Sequence, residues 1–314
     1  MMRKPFHRIT HTMASRGAFL LGMMAVFMGS SALPAVSQTP ITDLFIIQIE
    51  EEVGVKVFGV PKRISVHHGY NNQPSFTRDG RSILFNADPD GNTDIFRYDI
   101  EADTTFQVTK TTIGEYSPTP ISDDRFVSVV VEPDGRQRLW SYSISTGASE
   151  LFVAERDSVG YFDILADGQI AMFVLGSPPS LRIWNPSTKS ERRVDGVPGR
   201  SIRKHPSLDG FVFVDTSRPD RNLVVDVDPV TLSRQAIAQL PEGSQDLVFG
   251  PDGALYASSG SILYAYSSEA DGIWKSVADF RNFGLSNISR MAVSPDGRTI
   301  ALVSVYTPVA PLDE

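Results

Sequence analysis

The sequence predicts an all-β protein: a six-bladed β-propeller with four antiparallel strands per blade, its ring closed by N-terminal strands that complete the last blade. Three observations lead there. A turn acid recurs at near-constant intervals along the chain. Each copy carries the pattern of short strands divided by tight turns. The last copy stops after two strands, and the N-terminal segment holds two strands with no copy of their own.

The repeat comes first, because a period of 20–50 residues signals a solenoid, a propeller or an array. Its marker occurs as Asp79-Gly80, Asp123-Asp124, Asp167-Gly168, Asp209-Gly210, Asp252-Gly253 and Asp296-Gly297, at spacings of 44, 44, 42, 43 and 44. That length suits four strands and their turns, which is one blade. Before the marker lies a short stretch such as Gln73–Phe76, Asp246–Phe249 or Arg290–Val293. The turn itself reads Ser294-Pro295-Asp296-Gly297-Arg298 in the last copy and Gly250-Pro251-Asp252-Gly253 in the one before. Proline presets φ, and glycine accepts the left-handed conformation that closes such a hairpin. Asp124 replaces the glycine in the second copy and is expected to tolerate a positive φ there.

A second, apolar strand follows each turn: Ser82–Phe85, Phe126–Val131, Ile170–Val174, Phe211–Val214 and Ile300–Val303. The third alternates with period two, at Asp94–Ile100, Arg138–Ile144, Leu181–Trp184 and Leu263–Tyr266. The fourth is more polar (Glu150–Val153, Glu191–Val194), as an outer edge in water should be. No segment shows a helical period. The last copy ends near Tyr306, while Asp43–Glu50 has the pattern of a third strand and Gly54–Ile64 that of a fourth. Joining them closes a ring, which leaves only short outer strands unpaired.

Residues 1–37 read as a signal peptide and 38–314 as the propeller. Arg3, Lys4, Arg8 and Arg16 precede an 11-residue apolar run, Ala18–Met28, and small residues before Ser37 place cleavage after it. Eleven residues are too few to cross ~30 Å of hydrocarbon as a helix, so stable membrane insertion is not expected. Met13 is an alternative start. Removing this segment takes away four basic residues and no acid, and moves the net charge from −8 to −12. Such a surface repels phosphate, so nucleic acid is a poor partner. The absence of cysteine excludes thiolate chemistry and disulfides. The expected location is periplasmic or secreted, and the expected state a monomer.

Ser294–Ala301, together with Phe76–Leu84 and the following Asp90–Phe96, resembles the WD-repeat-like propeller units of the TolB type. The resemblance covers essentially the whole of residues 38–314 and is strongest in the first and last copies. It implies a stand-alone TolB-like propeller outside the cytoplasm, without the α/β domain that precedes the propeller in TolB and without the hydrolase domain of prolyl-peptidase relatives. Its motif specifies the fold, and such folds carry many roles.

Chemistry is sparse. No Gly-x-Ser-x-Gly elbow is present, and the chain beyond residue 37 has three histidines, His67, His68 and His205. Adjacent histidines in extended chain point opposite ways, so His67 and His68 suit a solvated loop better than a metal. Asp88, Asp90, Asn92 and Asp94 around Gly91 resemble a calcium loop, but the same residues make a tight turn. No cofactor or metal is expected.

The stronger candidate is the mouth of the central channel, where the segments leading into the innermost strands converge. They supply Asn72, Gln73, Glu115, Tyr116, Tyr161, Arg200, Arg203, Gln245, Asp246 and Arg290. Charged and aromatic groups in a concavity fit a ligand, arginine gripping a carboxylate and tyrosine offering a flat face. The same groups could instead solvate the channel and pair with one another. The expected function is therefore a non-catalytic binding or scaffold module for a protein, a peptide or a small acidic ligand. Two alternatives stand beside it. One is a metal-dependent lactonase-type hydrolase, with Glu115, Asn72 and Asp246 offering oxygen ligands. The other is a structural surface built from aromatic outer strands.

Overall fold

The computed structural model describes residues 41–267 and 272–308, so the segment expected to direct export, and the choice between Met1 and Met13, lie outside the described residues. The described residues form twenty-five strands and a single three-residue 3-10 turn, Arg281–Phe283. The chain begins with β1 (Asp43–Glu52), β2 (Val55–Phe58) and β3 (Lys62–Arg63). Blade 1 follows as β4 (Asn71–Phe76), β5 (Ser82–Ala87), β6 (Asp94–Asp99) and β7 (Thr104–Gln107). Blade 2 is β8 (Gly114–Pro120), β9 (Arg125–Val131), β10 (Gln137–Ser143) and β11 (Ser149–Leu151). Blade 3 is β12 (Val159–Ile164), β13 (Ile170–Val174), β14 (Ser180–Asn185) and β15 (Ser190–Val194). Blade 4 is β16 (Pro198–Lys204), β17 (Phe211–Asp215), β18 (Leu223–Val227) and β19 (Arg234–Gln239). Blade 5 is β20 (Leu247–Phe249), β21 (Leu255–Ser259), β22 (Ile262–Tyr266) and β23 (Trp274–Asp279). Blade 6 takes β24 (Leu285–Val293) and β25 (Thr299–Tyr306) from the end of the chain. It is completed in the order β24-β25-β1-β2, with β3 also pairing β1. The protein is thus all-β and six-bladed, as its repeat predicts.

Alternation along the strands explains how the blades hold together. In β5, Ile83 and Phe85 face blade 6, where they pack on Leu44, Ala301 and Val303. Leu84, between them, packs on Phe126, Val130 and Tyr142 of blade 2. The second strand of a blade is therefore buried on both faces, which is why it reads as a continuous apolar run rather than an alternating one. Six such clusters lie one between each consecutive pair of blades. The N-terminal β1 contributes to two of them: Leu44 and Ile46 seal blade 6 against blade 1, and Phe45, Ile47 and Ile49 seal it against blade 5.

The repeated acid has a local task. Asp296 Oδ1 accepts from Arg298 N at 3.0 Å and Ser294 Oγ at 2.6 Å. Asp79 does the same with Arg81 N and Thr77 Oγ1, and Asp167 and Asp252 accept from the backbone two residues on. The side chain thereby ties down the turn that separates the first and second strands. Gly297, at φ 73°, then donates to Ser294 O. Asp124 departs from the expectation, since it does not take a positive φ. Its carboxylate accepts from Ser143 Oγ and Ser145 N, binding this turn to the next one out.

Candidate functional site

The six innermost strands, β4, β8, β12, β16, β20 and β24, stand side by side around the axis, each touching the next. A cavity of about 330 Å³ opens among them and is lined from all six. One residue per blade falls at a constant offset, six positions before the repeated acid: Gln73, Ser117, Tyr161, Arg203, Asp246 and Arg290. All but Asp246 line the cavity, and Asp246 pairs with two arginines that do.

Backbone geometry sets this ring. Register shifts interrupt β4 at Asn72/Ser75, β8 at Tyr116/Thr119 and β24 at Ser289/Met291. Gln73 and Ser117 each sit at φ 54° inside their shift. A bulge bends its strand and re-aims one side chain, here into the channel. Gln73 Oε1 accepts from Ser117 N at 2.8 Å, so the two bulges lock blade 1 to blade 2.

Charge is divided unevenly around the ring. On the side of blades 5 and 6, Asp246 is almost fully buried. It accepts from Arg200 Nε at 3.0 Å and from Arg200 Nη2, and Arg290 Nε lies 3.4 Å from its Oδ1. Burial works to raise this carboxyl, but the Arg290 and Arg200 charges and the Arg200 hydrogen bonds prevail and hold it below the usual carboxylate range. Arg290 also lies over the Tyr161 ring, 4.7 Å from its centre, and donates to Arg200 O. This side is internally satisfied.

On the side of blades 1 to 4 the polar groups are left open. Arg203 donates through Nη1 to Ile202 O and makes no ion pair within 4.0 Å among the described residues. Burial disfavours its charge, as does Arg290, while Asp163 favours it. Asp163 itself accepts from Ile164 N and Lys204 N, each at 2.8 Å. Among the described residues, Gln73 Nε2, Ser117 Oγ and Tyr161 Oη have no hydrogen-bond partner. Arg78 and Lys204 stand exposed at the edge of the cavity.

The remaining residues expected at the mouth lie elsewhere. Asn72 is buried and accepts from Gln73 N, and Gln245 is exposed outside the cavity. Tyr116 packs among Val127, Val129 and Phe162. Glu115 is fully buried between blades 1 and 2, where Thr109 Oγ1, Thr111 Oγ1 and Tyr142 Oη donate to its carboxyl. Glu115, Asn72 and Asp246 thus have separate partners, and among the described residues no three histidine, aspartate or glutamate side chains gather as a metal site. The Asp88–Asp94 segment is the turn between β5 and β6. Asp88 accepts from Tyr70 N, Asp94 from Thr111 N, and Asn92 donates to Thr111 O and Ile113 O. Among the histidines, His67 faces Asp88 at 3.5 Å and His205 faces Asp226 at 2.9 Å. Ser117, Asp163, Arg78 and Lys204 were not legible from the segments leading into the strands. The constant offset from the repeated acid is the signal that points to Ser117.

Among solved structures, this architecture matches a TolB structure from Agrobacterium tumefaciens at a TM-score of 0.64, over 86% of this chain and 99% of the other, at 15% identity. The fold is that of a TolB-type propeller. A TolB from Acinetobacter baumannii matches at 0.56 and 12% identity, over 85% of this chain and 64% of that one. A gluconolactonase from Xanthomonas campestris matches at 0.59 and 12% identity, over 82% and 94%. No family model and no curated protein matches the sequence. At these identities the likeness of TolB-type propellers is one of fold, and neighbours with different activities share it. No helix among the described residues is long and apolar enough to cross a membrane.

Proposed function

We propose that this chain is an exported TolB-type propeller that acts as a non-catalytic binding module, taking a peptide segment or small acidic ligand into the channel mouth. The observation that carries this reading is the cationic cavity: Arg78, Arg200, Arg203, Lys204 and Arg290 line it with Asp163, Arg200 and Arg290 being paired to Asp246 behind it, in a chain of net charge −8. A concavity of opposite sign to the rest of the molecule concentrates anions. Export rests on the N-terminal basic and apolar segment.

The absence of catalysis is supported by how the carboxylates are used. Asp246 is neutralised by two arginines and Glu115 is enclosed by three hydroxyls, which leaves neither as a base or a metal ligand. The gluconolactonase likeness, at 12% identity, is one of fold.

The test uses residues 38–314 and a mixed set of acidic, neutral and basic fragments, followed by ligand-observed NMR. Saturable binding is expected, and it should be lost in Thr119→Trp, which fills the cavity from β8 with an unchanged melting temperature. Lactone hydrolysis should stay at the buffer rate with calcium, manganese or zinc present. A metal-dependent turnover, or fragments that bind Thr119→Trp as well as the wild type, would sink the reading.

A further inference from the structure

The asymmetry of the ring says what kind of ligand it takes, and this inference rests on the binding reading above. We infer that the channel holds a single carboxylate, in a ligand with a short apolar body, on Arg203 with Gln73, Ser117 and Tyr161 as the accompanying donors. The first support is how charge is paired. Asp246, behind the lining, pairs with Arg200 and Arg290, which leaves Arg203 as the cavity arginine without an ion pair within 4.0 Å among the described residues, with Arg78 and Lys204 at the edge. An anion placed on Arg203 supplies the charge partner that this side chain lacks.

The second support is donor chemistry. Arg203 keeps its Nε and Nη2 free of hydrogen bonds, and both stand in the fork geometry that matches a carboxylate. Gln73 Oε1 is occupied by Ser117 N, so the amide presents its NH2 as the remaining polar group. Ser117 and Tyr161 add hydroxyls. Four neighbouring blades thus present donors, while the carboxylates nearest to them already accept from Arg200 or from backbone N–H groups.

The third support is size and lining. About 330 Å³ stands at the small end of ligand pockets, enough for a small organic acid or the last one or two residues of a peptide. Phe76, Pro74, Pro118, Phe162 and Met291 supply apolar wall beside the donors. A free C-terminal carboxylate and a small branched acid share the required chemistry, and the experiment separates them.

The probes are 4-methylpentanoate, its primary amide, 3-methylbutylamine, inorganic phosphate and an acetylated tripeptide ending in leucine with a free carboxylate. Each is titrated against residues 38–314 by NMR. The acid is expected to bind about 10-fold or more tighter than the amide, the scale of one charge-assisted pair. Arg203→Gln should bring the acid down to the amide's affinity without moving the melting temperature. Should that variant lose its fold, Arg203→Lys keeps the charge and is expected to weaken the acid several-fold. Asp163→Asn removes the opposing charge and should tighten the acid. Opposite responses from the two positions are not what a merely structural role gives. If the peptide acid outcompetes the small acid, the ligand is a chain terminus; the reverse marks a metabolite. Equal binding of acid and amide, tighter binding of phosphate or amine, or an unaffected Arg203→Gln would overturn the carboxylate assignment while leaving a binding protein. No saturable probe at all would remove both readings.

Discussion

At the scale of single residues, two kinds of buried acid behave in opposite ways. Asp246 meets arginines and is held ionised, whereas Glu115 meets only hydroxyls. Burial pushes the Glu115 carboxyl up, and the nearby Asp94 adds to this against the Thr109, Tyr142 and Thr111 hydrogen bonds. The folded state therefore favours the protonated form. Its contribution to stability is complete below the ordinary glutamate range and is lost as pH rises through the raised folded value. Glu115→Gln retains an acceptor and never ionises, so its melting temperature should match the wild type near pH 4 and exceed it at neutral pH. Glu115→Ala should melt below the wild type at both, since it strands the buried Tyr142 hydroxyl at about 1–3 kcal/mol. A Gln variant that is less stable at neutral pH would show that the carboxylate is needed in its charged form.

At the scale of elements, β1 matters most, because it supplies a strand that blade 6 cannot make from its own copy. It pairs β25 from Asp43↔Ser304 to Gln48↔Thr299, and its two faces enter both neighbouring clusters. Leu44 is fully buried at the seam between blades 6 and 1. Leu44→Ala should cost about 2–5 kcal/mol through lost burial and the cavity left behind. At about 2–4 °C per kcal/mol for a domain of this size, calorimetry should record a clear fall in melting temperature. Val55, exposed on β2, makes the control: Val55→Ser should change little. Equal melting of the two variants would mean that the N-terminal strand is not what closes the ring.

At the scale of the whole molecule, an acidic chain encloses a cationic centre. The cavity gathers five of the basic side chains, so the rest of the surface decides non-specific contacts. Neither anionic vesicles nor duplex DNA should retain residues 38–314 at about 0.1 M salt, where exposed charges are felt over ~10 Å. Retention by either in a sedimentation or mobility assay would show that a basic region of the surface outweighs the acidic whole.

The repeat, the apolar second strands and the split sixth blade were all legible in the amino-acid sequence, because each is a local pattern of turn chemistry or alternation that tertiary packing has no reason to override. The turn acids, for instance, bind the backbone two residues away. The site was legible only in part. Gln73, Tyr161, Arg203, Asp246 and Arg290 could be named as polar groups near the axis, but their pairing joins blades 40 or more residues apart in sequence, as Arg200 and Asp246 show across 46. Which arginine is neutralised and which is left open depends on bulges that turn single side chains inward, and on a ring that brings blade 4 to face blade 6. Local sequence encodes the strand, and only closure of the ring decides which charges meet.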